Sequence, residues 1–170
     1  ENFGDAPFAR GFAGRGAIAG LAAVGARVAG SVFVPVGINV LRNDALSAVA
    51  VASAVGAAFI RVNIHMGAAV TDQGIIQGNA RETLQAIRDL RPGLSVFADV
   101  FVKHAKPLGD SSIEQSSLEL VERGKASALI VTGSMTGSPS AMEDLRRVKS
   151  AVPGVPVLAG VIALAMLLTL

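Results

Sequence analysis

No cysteine, tryptophan or tyrosine occurs among the 170 residues, and histidine occurs only twice. Without cysteine there is neither a disulfide framework nor a thiolate metal site, which fits a reducing compartment, and the cytoplasm is the expected location. Charge is scarce too: charged residues make up 16% of the chain and the formal net charge is +2. So small and dispersed an excess, with no Lys/Arg cluster and no stacking aromatics, argues against a nucleic-acid partner. The length suits one packed domain and is short for two. Residue 1 is Glu rather than Met, so the chain is expected to start inside a longer frame. Residues 151 to 170 carry no charge and approach the length of a membrane span. Pro153, Gly154 and Pro156 spoil that run as a single helix, so a core strand followed by an aberrant apolar tail at 161 to 170 is expected.

What the chain does have is regular punctuation. Apolar, β-branched runs at 32 to 41, 58 to 65, 97 to 104, 127 to 133 and 155 to 160 alternate with helical patterns. Asn43 or Asp44 caps a helix that stops at Gly56. Asn79 with Glu82, Ser111 with Glu114 and Ser140 with Glu143 repeat a capping-box spacing. Leu84, Ile87 and Leu90 form one predicted buried stripe, and Met142, Leu145 and Val148 another. Five strands separated by helices imply parallel pairing with helical crossovers, an α/β fold.

Side chains alternate between the two faces of a strand. Ile60, Val62 and Ile64 share one face and Arg61, Asn63 and His65 the other. Ala98, Val100 and Val102 oppose Phe97, Asp99, Phe101 and Lys103; Val36, Ile38 and Val40 oppose Gly37, Asn39 and Leu41. Each strand therefore has one aliphatic face, suited to a cover of helices, and a second, more polar face. A doubly wound sheet would be apolar on both faces, whereas a (β/α)8 barrel closes its second face on itself and keeps its chemistry at the C-terminal strand ends. Arg61 and Asp99 are expected to meet, as a structural ion pair or as part of a site, because isolated buried charges are prohibitively costly.

Arg42 and Asn43, directly after a strand, belong at the barrel mouth, where Arg42 is an anion clamp or a structural cation. The stretch 65 to 78 is expected as a long polar loop in which Asp72 and Gln73 form either a lid or a solvated turn. Thr132, Gly133, Thr136 and Gly137 stand between a strand and a helix, where backbone amides hold anions. His65 and His104 lack a fixed ligand spacing, so no metal is expected. Gly14, Gly16 and Gly20 miss the dinucleotide fingerprint and are read as a flexible stretch or as Ala/Gly helix packing; no motif specifies a cofactor.

The segments "ENFGDAPF" (1 to 8), "PVGINVLRNDALSAVAVA" (35 to 52), "FIRVNIHMGAAVTDQGIIQG" (59 to 78), "FADVFVKHAKPLG" (97 to 109) and "ALIVTGSMTGSP" (128 to 139) resemble the BtpA family, which includes SgcQ. The resemblance implies an incomplete TIM barrel of the ribulose-phosphate-binding type, one partial domain running from the end of strand two through strand seven. It also implies an association with photosystem I biogenesis and a membrane surface. Where the family continues into its phosphate loop, this chain reads "AGVIALAMLLTL", and only Gly160 of that region is retained. Missing strands leave unpaired edges, which favour association with a second copy.

Two functions follow as expectations. In the first, the mouth binds or transforms a small phosphorylated metabolite. Lys103 then acts as electrophile or anion partner, His65 or Asp99 moves a proton, and Asn39, Arg61 and Asn63 orient the ligand. In the second, the protein is an assembly factor that contacts photosystem I proteins through its surface.

Overall fold

The computed structural model describes residues 1–102, 104–132 and 139–160. Five parallel strands form the main sheet: β1 (Gly37–Ile38), β2 (Phe59–Val62), β5 (Ser95–Val100), β7 (Ala128–Val131) and β8 (Val157–Ala159). Their spatial order is β1-β2-β5-β7-β8, so each neighbours the next parallel strand along the chain. Among the described residues β1 and β8 stand at opposite edges, and the sheet is not closed.

The aliphatic faces behave as alternation dictates. Ile38, Val40, Ile60, Val62 and Val96 pack with α2 (Ala45–Val55) and with Ile87 of α3 (Ala80–Leu90). Ala98, Val100, Leu129 and Val131 pack with Ile113 and Leu120 of α4 (Ile113–Glu122) and Val148 of α5 (Pro139–Ala151). The Ala/Gly-rich stretch is helical as expected, α1 (Arg15–Ala29), and lies against α2. Gly25 is buried there because a methyl group at this position would already touch Ile38 and Val55.

Local chemistry sets the boundaries. The Asp44 side chain accepts from Ser47 N–H at 3.1 Å and caps α2, which ends at Gly56 in the left-handed conformation, φ 72°. Ser112, one residue beyond the expected Ser111, caps α4 by accepting from Gln115 N–H at 3.2 Å. Asn79 precedes α3 as expected but makes no side-chain cap; Thr83 Oγ1 donates to its carbonyl instead. The two helical stripes need correction at one end each. Leu90 is 54% exposed and Met142 47%, while Thr83 and Val148 are fully buried. The buried face of α3 therefore runs through Thr83 and Ile87.

A larger departure concerns residues 97 to 104, expected as one strand. β5 stops at Val100, Phe101 takes a positive φ of 55°, and His104 one of 59°. The chain re-forms as β6 (Ala105–Pro107) in a different sheet. There it pairs antiparallel with β3 (Ala68–Thr71), which pairs in turn with β4 (Gly74–Gln77). The supposed polar loop 65 to 78 is thus largely a hairpin, whose Ala69 and Ile76 pack with Ile64 and Val102 of the segments that follow β2 and β5. No helix among the described residues is long and apolar enough to cross a membrane.

Candidate functional site

The face of the main sheet opposite the helix-packed aliphatic residues gathers Arg61 of β2, Asp99 of β5 and Asn63 just beyond β2. Arg61 lies opposite Phe97 in the ladder, two residues short of Asp99. It reaches along that diagonal so that Nε donates to Asp99 Oδ1 and Nη2 to Asp99 Oδ2, both at 2.9 Å. Phe59, opposite Ser95, leans the same way and stacks on Phe97 with ring centroids 4.2 Å apart. The expected meeting of Arg61 and Asp99 is therefore realised as a two-pronged, charge-assisted pair. Asn63 Nδ2 adds a third donor to Asp99 Oδ2 at 2.8 Å, and the Glu1 carboxylate approaches Arg61 Nη1 at 3.4 Å.

Both Asp99 oxygens accept from N–H donors, the arrangement of a carboxylate. Burial pushes its pKa above the ordinary value, with Arg61 and Asn63 pulling it back. For Arg61, burial works against the charge, but hydrogen bonding and attraction from Asp99 outweigh it and hold the guanidinium above its usual pKa. The pair is thus neutral as a unit and rigidly held.

Asn39 and Arg42, both buried, follow β1 toward the same end of the sheet. Among the described residues nothing accepts from Asn39 Nδ2. Asn43 is committed to the framework: its Nδ2 donates to Ile64 O and its Oδ1 accepts from Ile64 N–H, each at 2.8 Å. Thr132 is buried at the end of β7, its hydroxyl 3.4 Å from Phe101 O, with Gly160 tight against it.

The structure places four of the expected site residues as follows. His65 was placed on the Arg61 face, but β2 ends at Val62 and alternation ends with it. The ring instead lies against the turn after α4, with Nε2 2.8 Å from Gly124 O, and is 1% exposed. Asp72 and Gln73 occupy the tip of the β3–β4 hairpin, the turn rather than the lid of the two expected alternatives; Gln73 Nε2 donates to Asp72 Oδ2, and the Gln73 N–H donates to the Thr71 hydroxyl. Asn43, expected at the mouth as a ligand contact, spends its amide on Ile64. Lys103, Gly133, Thr136 and Gly137 lie outside the described residues.

One cavity of about 120 Å³ adjoins the cluster. Asp99 of β5 and Asn63 and His65, beyond the end of β2, line it, with Ala69 and Ala105 of the small sheet and Ser116 and Glu119 of α4. Ser116 and Glu119 escaped notice in the sequence because they look like ordinary exposed helix residues. The hairpin had a legible signal: "AAVT" and "GIIQ" flank the Asp-Gln turn that precedes Gly74.

The BtpA family model matches residues 1–165. The photosystem I biogenesis protein BtpA of Synechocystis sp. is 46% identical over 160 residues, covering 94% of this chain and 56% of that protein. Uncharacterised proteins of Thermococcus kodakarensis and Methanocaldococcus jannaschii are each 46% identical over 160 residues, covering 94% of this chain and 60% of theirs. The chain thus spans between 56% and 60% of the length of these relatives. No solved structure matches. With a family model across nearly its whole length, the chain belongs to the BtpA family.

Proposed function

We propose that this chain supplies strands of a (β/α) barrel of the ribulose-phosphate-binding type, whose mouth binds a small phosphorylated metabolite. One observation carries the reading. Arg61, Asn63 and Asp99 are gathered toward the C-terminal ends of parallel strands, on the sheet face opposite the helix-packed core. Strand order that follows chain order, without the reversal of a doubly wound sheet, supports the barrel. An interaction protein has no use for an inward Arg–Asp–Asn cluster held this rigidly, whereas a ligand site needs preorganised polar groups.

In this reading Arg61, Asn63 and Asp99 set the polar floor, with Asp99 the candidate for moving a proton. Asn39 and Arg42 face the ligand from β1. Lys103, directly beyond β5, and Thr132, Gly133, Thr136 and Gly137, beyond β7, meet the phosphate. His65, whose Nε2 is engaged with Gly124 O, stays the alternative proton-transfer candidate through Nδ1.

The name of the Synechocystis relative supports a second reading, in which the protein serves photosystem I assembly through surface contacts. Lys103→Met in the full-length family protein separates the two. Thermal-shift and calorimetric titrations with sugar phosphates and their dephosphorylated counterparts are expected to show binding of phosphorylated compounds only, lost in the variant. Absence of any binding to the wild-type protein, together with impaired photosystem I accumulation in a deletion strain, would overturn the metabolite reading in favour of the second.

A further inference from the structure

The guanidinium of Arg61 has an edge that Asp99 does not cover. Nε and Nη2 are spent on the Asp99 carboxylate, whose side chain is wholly buried. Nη1 is left outside that pair and faces Glu1 Oε1 at 3.4 Å, beyond the range of about 2.7–3.2 Å usual for such bonds. The Glu1 side chain is 42% exposed and that of Arg61 24%, so this contact is open to solvent while Asp99 is closed off.

Glu1 is positioned through its neighbour. Asn2 grips the chain just beyond β1: its Oδ1 accepts from Leu41 N–H at 2.7 Å and its Nδ2 donates to Leu41 O at 3.2 Å. The same Nδ2 donates to Asp5 Oδ2 at 3.1 Å. These bonds set Glu1 at the C-terminal end of the parallel strands, beside Arg61, without using its carboxylate.

The pairing of groups on this open edge narrows what it can take. Two carboxylates to one guanidinium leave a surplus negative charge, which repels a phosphate. A phosphate would also find no donor in Glu1, and an ammonium no acceptor in Arg61, because a carboxylate only accepts and a guanidinium only donates. A hydroxyl does both: it donates to Glu1 and accepts from Arg61 Nη1. Acidic side chains hold ribose hydroxyls in this manner in dinucleotide-binding folds.

We infer that Glu1 and Arg61 Nη1 form the hydroxyl-binding edge of the site and take a sugar hydroxyl of the metabolite between them. The inference rests on the reading of the sheet's polar end as a metabolite site. It gives that ligand a direction, with its hydroxyls at the β1–β2 side and its phosphate toward Lys103 and the residues beyond β7.

NMR titrations of the full-length family protein with ribose 5-phosphate, ribose and inorganic phosphate, in wild type and in Glu1→Gln, test this. Glu1→Gln is expected to weaken ribose and ribose 5-phosphate by on the order of tenfold, the loss of one charge-assisted hydrogen bond, and to leave inorganic phosphate binding unchanged. Glu1→Asp, which keeps the charge on a shorter arm, should fall between. An exposed ion pair adds little to stability, so the unfolding midpoints of wild type and Glu1→Gln should coincide. A ribose 5-phosphate affinity that Glu1→Gln leaves untouched or raises, or an equal loss for all three probes, would overturn the inference. Ribose binding that depends on Glu1 but is not improved by the 5-phosphate would instead sink the phosphorylated-metabolite reading and leave the hydroxyl edge standing. Binding of none of the three by the wild-type protein would overturn both.

Discussion

Asn43 and Ile64 are tied by a reciprocal pair of hydrogen bonds at 2.8 Å, side chain to backbone in both directions, across 21 positions of sequence. The pair pins the loop after β1 to the end of β2, where alternation stops and the chain turns toward the small sheet. Asn43→Ala leaves both backbone groups of Ile64 without partners, and a loss of about 1–3 kcal/mol is expected. Chemical denaturation of variant and wild type measures it, and Asn43→Asp, which keeps only the acceptor, should fall between them.

Arg61 and Asp99 obey a different rule. Removing one member strands a charge: Asp99→Ala is expected to destabilise by about 3 kcal/mol, the low end of the range for such pairs, because Arg61 retains 24% side-chain exposure. The double variant Arg61→Met with Asp99→Leu should recover most of that stability, since apolar replacement of an ion pair is frequently neutral. It should not recover ligand binding. A double variant that binds as well as wild type would remove the pair from the site.

The buried His65 predicts a pH dependence of stability. Its folded pKa is lowered by burial, so the unfolded chain takes up a proton at a pH where the native protein does not. Stability from this residue is fully present above the unfolded value of 6.5 and is lost as pH falls through the window beneath it. Unfolding midpoints in urea are expected to drop as the pH falls below 6.5. His65→Gln should flatten that slope.

Gly78 closes the hairpin back toward α3, and its own N–H donates to Gly67 O at 2.8 Å. A Cβ here would overlap the backbone carbonyl of His65, which has no flexible end to swing aside. Gly78→Ala is expected to cost about 1–3 kcal/mol by overpacking. It should also displace His65, visible as a change in its ring resonances. At Gly37 the added methyl would strike the Phe59 ring, a side chain that has more room to yield, so Gly37→Ala should be milder.

Much of the frame was legible before any coordinates. Aliphatic parity in β2 and β5 correctly separated the helix-packed face from the face bearing Arg61 and Asp99, because one-sided burial enforces a strict period of two. Caps at Asp44 and Gly56 were legible for an equally local reason. Parity failed where its premise failed. At Phe101 and at Asn63 the chain leaves the ladder, so the period no longer said where His65 would point. The small sheet was missed because its partners, Val70 and Lys106, lie far apart along the chain, and short strands carry weak patterns.

The sequence by itself determined the alternation of strands and helices, the greasy underside of the parallel sheet, and the need of Arg61 and Asp99 for one another; each follows from local periodicity or from the cost of a lone buried charge. Only the tertiary structure decided that His65 lies against the turn after α4, that Asn43 serves the framework, and that a second sheet roofs a cavity beside Asp99. Those outcomes depend on backbone turns and on contacts between distant segments, for which no short stretch of residues carries a code.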